Sequence, residues 1–186
     1  PPSNLYQQNT FRDAVIAGLT LNIFQTHAAR VRMANIAQMI NVLQSMILTR
    51  GKEMVLTPTY HVFDLYQVHQ GSALLPVEVV GGNYASGAVT LPAISVSASR
   101  NDKGVIHLSI VNLDPDREAA ITLSLKATKA RSASARVLTA TAMVAHNDFD
   151  APERLVPRKL KGIAVRGSNV QLKVPAKSVS LLEVQP

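Results

Sequence analysis

The hydrophobic period of the chain changes near residue 72. From Phe11 to His27 apolar residues fall on almost every side of a helical wheel, through Val15, Ile16, Leu19, Leu21, Ile23 and Phe24. Thr10, followed by Asp13 three residues on, is an N-cap with an Asp version of the capping box. A helix that is apolar all round lies deep inside a larger body rather than on the surface of a small one. Arg30 to Gln38 then alternates through Val31, Met33 and Ile36, which predicts a buried strand. A long connection turning at Arg50-Gly51-Lys52-Glu53 leads to a second helix. That helix is punctuated by Thr57 as cap, Pro58 at the first helical position and Gly71 as stop. Val62, Leu65, Tyr66 and His69 fall at i, i+3, i+4 and i+7 and form its buried face.

From about Leu74 the period is two. Ile94, Val96 and Ala98 alternate with serines, Asn101-Asp102-Lys103-Gly104 supplies a turn, and Ile106, Leu108 and Ile110 resume the alternation, so this is a hairpin. The pattern recurs at Ile121-Leu123-Leu125, at Leu138-Ala140-Ala142-Val144 and at Ile163-Val165. A turn at Arg166-Gly167-Ser168-Asn169 then leads into Val170-Leu172-Val174, and Val179 to Val184 makes a last strand. Seven or eight short strands between turns predict an antiparallel sandwich. The expected division is residues 1–72, of α/β pattern, and residues 73–186, all β.

Composition narrows the classes. The chain has 186 residues, 47% of them apolar and 17% charged, which is globular and not disordered. Its longest near-apolar run, Ala14 to Phe24, is far short of the roughly 20 residues of a membrane span. There is no cysteine, hence no disulfide framework, thiolate nucleophile or thiolate metal site. The opening Pro1-Pro2-Ser3-Asn4 lacks the basic start of a secretory signal, so a cytoplasmic location is expected. The net charge of +7 suggests nucleic acid only at first sight. Basic residues are mostly spread singly along the strands, Arg158, Lys159 and Lys161 being the densest cluster. Paired aromatics, zinc-finger spacing and a P-loop are all missing, so the charge reads as a solvated face.

One strand and two helices cannot bury a helix that is apolar all round. About 72 residues of this kind read as the tail of a repeating strand–helix array, and the chain as a piece of a longer protein. The catalytic inventory points the same way. His27, His61, His69, His107 and His146 form no H-x-x-x-H or H-E-x-x-H spacing, so no metal or other cofactor is expected. No G-x-S-x-G elbow is present, and Gly81-Gly82-Asn83 does not cradle phosphate. Hydrolysis by paired carboxylates needs two of them, about 5–5.5 Å apart in a retaining glycosidase. In the first half only Asp13, Glu53 and Asp64 are available: a helix N-terminal charge, a turn residue, and a charge one turn into the second helix. Asp114-Pro115-Asp116 and Asp148-Phe149-Asp150 are loop clusters, read as solvated rather than as calcium ligands. The chain alone shows no catalytic pair.

Several segments carry a resemblance. They are Leu5-Tyr6-Gln7-Gln8-Asn9-Thr10, Arg30-Val31-Arg32-Met33-Ala34-Asn35-Ile36-Ala37-Gln38, Val42-Leu43-Gln44, Met46-Ile47-Leu48-Thr49 and Leu56-Thr57-Pro58-Thr59-Tyr60-His61-Val62-Phe63. Near the end come Ala145-His146-Asn147-Asp148-Phe149 and Leu172-Lys173-Val174-Pro175-Ala176-Lys177-Ser178-Val179. Together they resemble the family 51 α-L-arabinofuranosidases over essentially the whole chain.

The resemblance implies a fold of α/β plus all-β type. Residues 1–72 would supply the last strand and helices of a (β/α)8 barrel, and residues 73–186 a C-terminal antiparallel β-sandwich of jelly-roll form. It implies a retaining, exo-acting enzyme that removes terminal arabinofuranosyl groups from arabinan, arabinoxylan or arabino-oligosaccharides. Both catalytic glutamates lie upstream of the matched region, so no catalytic residue is named here. Its partners would be the upstream barrel portion, an arabinose-containing saccharide and further copies in a homo-oligomer, with neither nucleic acid nor membrane.

One site residue carries over. A glutamine at the end of the family's last barrel strand hydrogen-bonds the arabinose, and Gln38 in Asn35-Ile36-Ala37-Gln38 occupies that position. Barrel sites sit at the C-terminal ends of strands, and an amide both donates to and accepts from sugar hydroxyls. The alternative is that Gln38 caps the strand or bonds backbone; Asn35 and Asn41 beside it read as structural. Two other readings concern residues 73–186. A carbohydrate-binding module needs exposed aromatic platforms, and this half has only Tyr84 and Phe149. A non-catalytic scaffold fits the alternation better.

Overall fold

The computed structural model describes residues 8–186. Helix α1 (Phe11–Thr26) is followed by strands β1 (Ile47–Arg50) and β2 (Glu53–Leu56), helix α2 (Pro58–Tyr66) and a 3-10 turn at Gln67–His69. The strands after them are β3 (Ala73–Leu75), β4 (Asn83–Ser86), β5 (Val89–Pro92), β6 (Ile94–Arg100) and β7 (Ile106–Asn112). Then come β8 (Ala119–Ser124), β9 (Ser132–Thr139), β10 (Arg158–Lys159), β11 (Ala164–Arg166), β12 (Asn169–Val174) and β13 (Ser178–Gln185). No helix among the described residues is long and apolar enough to cross a membrane.

Both expected helices form, with the expected caps. The Asp13 carboxylate accepts from the Thr10 backbone N–H at 2.7 Å and from Thr10 Oγ1 at 3.0 Å. Thr57 Oγ1 accepts from Tyr60 N, Pro58 opens α2, and Gly71 takes φ +69° after the 3-10 turn. The part of the resemblance at Leu5–Gln7 lies outside the described residues.

The strands are antiparallel and fall chiefly into two sheets. One has six strands in the order β10-β9-β13-β7-β6-β3, and the other three in the order β11-β12-β8. Alternation along β7 and β13 sends Ile106, Leu108, Ile110, Leu182 and Val184 to a core shared with Val170, Leu172 and Val174 of the smaller sheet. On the opposite face Val111, Val179 and Leu181 meet Phe11, Ala14, Val15, Val62, Leu65 and Tyr66 of the helices. The six-stranded sheet is therefore buried on both faces, and all seven residues of β7 are buried. Helix α1 approaches it closely at Gly18, where a Cβ would lie 3.1 Å from Val111 Cγ2 and 3.2 Å from Val179 Cγ2.

Two expectations need correction. Arg30 to Gln38 is not a buried strand: it pairs with no described strand, and Met33 is 73% exposed. Alternation supplies the pattern of a strand, but a ladder needs a neighbouring edge, and none is present here. The alternation at Leu138 to Val144 stops being strand after Thr139, because the chain turns to close the N-terminus of α1. The hairpin β1–β2 replaces part of the long connection, with Arg50-Gly51-Lys52-Glu53 at its tip.

Candidate functional site

Gln38 ends the unpaired segment and begins a tight loop. Its φ is +62°, that of Asn41 +61° and that of Leu43 +49°. Three non-glycine residues in the left-handed region within six positions is an uncommon concentration of strain, and such strain persists only where surrounding contacts impose it. The contacts are present. Met46 N and Ile47 N both donate to Met39 O, at 2.9 and 3.1 Å, and Asn41 N donates to Ile47 O at 3.0 Å. The far end is fixed by both helix N-termini: Thr57 Oγ1 donates to Ser45 O at 2.9 Å, and Gln44 Nε2 to Asp13 Oδ1 at 3.4 Å. Gln38 itself is exposed, and no described residue holds its carboxamide. Asn35 is exposed too.

The hairpin beside this loop is tied to the C-terminal half. The Asn147 amide donates to Leu56 O, at the end of β2, at 2.9 Å. The Arg50 guanidinium at the hairpin tip stacks 4.3 Å from the Phe149 ring centroid. The same stretch closes α1, because Phe11 N donates to Ala145 O at 2.7 Å and Arg12 N to Met143 O at 2.9 Å. The segment Ala145-His146-Asn147-Asp148-Phe149 is thus a clasp between the sheets and the helix layer.

Carboxylates weighed as candidates from the sequence are engaged in structure. Asp13 serves the helix caps and Glu53 pairs with Arg50 at 2.8 Å. Asp64 lies 3.9 Å from Arg136. Asp114 accepts from the backbone N–H groups of Asp116 and Arg117 and from the Arg117 guanidinium, which hold its carboxyl below the usual range. Asp148 accepts from Asp150 N and Ala151 N.

The densest polar cluster lies under the helices. Asn22 of α1, 1% exposed, receives Ser97 Oγ and Tyr66 Oη on its Oδ1, and its Nδ2 donates to Ser95 Oγ. His69 stands between β6 and β7, with Nδ1 2.7 Å from Ser99 Oγ and Nε2 2.8 Å from Ser109 Oγ. Burial, and next the neighbouring His107 ring, push His69 down to about 4. The folded form keeps His69 neutral, whereas an unfolded chain protonates it near 6.5. Its contribution to stability is therefore complete above pH 6.5 and is lost as pH falls toward 4, by at most about 3 kcal/mol. His61, pushed down by burial, acts in the same direction. We expect the urea midpoint to fall between pH 7 and pH 4.5, and the fall to be clearly shallower in His69→Gln; an unchanged slope removes His69 as its source.

A cavity of about 450 Å³ lies between α1, residues 28–34 and α2. Leu21, Phe24, Val31, Met33 and Phe63 line it, and Gln38 does not. Gln25, Arg32, Gln67, His69 and Gln70 also border it, but no acid does.

Comparison with known proteins gives the frame for this loop. The family described as "Alpha-L-arabinofuranosidase C-terminal domain" matches residues 1–178. An intracellular exo-alpha-L-arabinofuranosidase of Bacteroides ovatus is 45% identical over 183 residues, 98% of this chain and 36% of that protein. The crystal structure of a GH51 arabinofuranosidase from Xanthomonas axonopodis pv. citri superposes with a TM-score of 0.94 at 42% identity, over 97% of this chain and 37% of that one. A family 51 enzyme from Bifidobacterium longum, at 23% identity and a TM-score of 0.89, shares the fold. The chain spans just over a third of the length of these relatives. With the match running through nearly every described element, the chain belongs to the alpha-L-arabinofuranosidase C-terminal domain family of glycoside hydrolase family 51.

Proposed function

We propose that this chain completes a retaining, exo-acting α-L-arabinofuranosidase whose two catalytic glutamates lie upstream of Pro1. The family match over residues 1–178 carries the reading. Residues 1–72 are then the C-terminal end of a (β/α)8 barrel, and residues 73–186 a jelly-roll sandwich. The outer face of α1 supports this division. Ile16 and Ile23 are 48% and 49% exposed, although the helix is buried on its other side against the sheet. An apolar helix face of that kind is covered in the complete barrel by preceding strand–helix units.

In this reading Gln38 stands at the C-terminal end of the last barrel segment, where barrel sites are built. One upstream glutamate attacks the anomeric carbon while the other protonates the leaving oxygen, and water then hydrolyses the arabinosyl-enzyme. The exposed, unengaged amide of Gln38 holds sugar hydroxyls. The substrates are terminal arabinofuranosyl groups of arabinan, arabinoxylan or their oligosaccharides. We place the enzyme inside the cell, as the name of the Bacteroides ovatus relative has it for that protein, and propose a homo-oligomer. Residues 73–186 then act as scaffold rather than as a carbohydrate-binding module.

Assay on an aryl α-L-arabinofuranoside tests the proposal. The full-length protein is expected to release the aryl alcohol and residues 1–186 alone to release none. A full-length protein inert on that substrate but active on another glycoside overturns it.

A further inference from the structure

We propose that Asn41 is a positioning residue for Gln38, holding the loop that presents it; the proposal rests on the reading of Gln38 as a sugar ligand. The side chain of Asn41 takes both polar groups of one residue in β1. Its Oδ1 accepts from Thr49 N at 2.7 Å, and its Nδ2 donates to Thr49 Oγ1 at 2.8 Å. Its backbone N–H, directed at Ile47 O, sits two residues from that contact on the same strand. Asn41 therefore extends the edge of β1, side chain and backbone together, and a parallel bridge between Ile40 and Ile47 joins the two segments.

This arrangement explains why residue 41 is asparagine. The position needs a residue that tolerates φ +61°, which favours Gly, Asn and Asp. Of those three, only asparagine offers an acceptor and a donor at once. Asn41 lies three positions after Gln38, and both sit in left-handed backbone. A loop with two such residues has few alternative conformers to relax into, so fixing one fixes the direction of the other. Nothing else described holds Gln38 by its side chain, so its placement comes through the backbone. The anchor is itself rigid: β1 pairs with β2 from Ile47↔Leu56 to Arg50↔Glu53, and Leu56 O is held by Asn147.

The test is a double-mutant cycle in the full-length enzyme on an aryl arabinofuranoside. Asn41→Gly keeps the left-handed backbone and removes the side chain. Alone it is expected to lower kcat/KM by about tenfold or more, as small misplacements of a positioning group do. In a Gln38→Ala background it is expected to add less than about a twofold loss, because a positioning residue has nothing left to position. Asn41→Asp keeps the acceptor for Thr49 N and is expected to recover most of what Asn41→Gly loses. Equal fold-losses in both backgrounds, or wild-type kinetics in Asn41→Gly while Gln38→Ala is impaired, overturn the role of Asn41 alone. Wild-type kinetics in Gln38→Ala overturn the reading of Gln38 on which it rests.

Discussion

Replacing Gln38 by Ala in the full-length enzyme is expected to lower kcat/KM by about a hundredfold. A carboxamide on a sugar makes one bond as donor and one as acceptor. Each costs about 1–1.5 kcal/mol when lost with its partner left in a desolvated site, and the sum of about 2–3 kcal/mol corresponds to a factor near 100. The structure adds a reason for confining the effect to turnover: Gln38 is exposed and unengaged, so its truncation removes no contact from the described fold. The thermal midpoint should stay within about 2 °C of wild type. Gln38→Glu keeps the acceptor and loses the donor, and is expected to fall between the two. Wild-type kinetics in Gln38→Ala would remove the residue from the site.

The two helices were legible because their signals are local. Thr10 with Asp13, and Thr57 with Pro58, state where each helix begins, and those caps form as written. The sequence of α1 carries a further sign in Asn22, which with Thr20 interrupts the apolar run from Ala14 to Phe24. Asn22 lies over the serines of β6, and that pairing is invisible until the helix is laid on the sheet. Alternation in β6 showed that its two faces differ. It did not show that the serine face is covered by a helix layer and not by water.

Residues 30–38 failed as a strand for a physical reason. A strand is a pairing, and the periodicity of one segment says nothing about whether its neighbours are present. The turn at Arg50-Gly51-Lys52-Glu53 was read but the hairpin β1–β2 around it was not, because its strands are only four residues each. The proposal for Gln38 comes only through motif resemblance, since an exposed glutamine has no physical signature in a sequence. Asn41 was read only as structural, and its partner Thr49 was not legible, because that bond depends on the path of the loop between them. Among the acids weighed as candidates from the sequence, Asp13, Glu53, Asp64, Asp114 and Asp148 each have a structural partner.

Removing the amide of Asn147 is the substitution from which we expect the largest loss of stability. Asn147 is fully buried, and one carboxamide makes three bonds. Its Nδ2 donates to Leu56 O and to Leu155 O, each at 2.9 Å, and its Oδ1 accepts from Leu155 N at 2.8 Å. Leu keeps the branched shape of Asn but is larger, so Asn147→Leu opens no cavity and adds some overpacking to the polar loss. It leaves three backbone groups unpaired, one on β2 and two on a residue whose side chain lies in the core beside Phe11. At about 1–3 kcal/mol for each of the three groups that water cannot reach, the cost is about 3–9 kcal/mol, a large part of the 5–15 kcal/mol that holds a domain. At roughly 2–4 °C per kcal/mol, the thermal midpoint of the full-length protein should fall by about 10 °C or more. The clasp also anchors the hairpin from which Asn41 holds the Gln38 loop, so the damage should reach the site well below that midpoint. At 25 °C Asn147→Leu is expected to lose activity as well, through the same loop and without touching the sugar. A variant that keeps both its midpoint and its kcat/KM would mean that the sheets and the helix layer are joined by other contacts, and that the clasp is incidental.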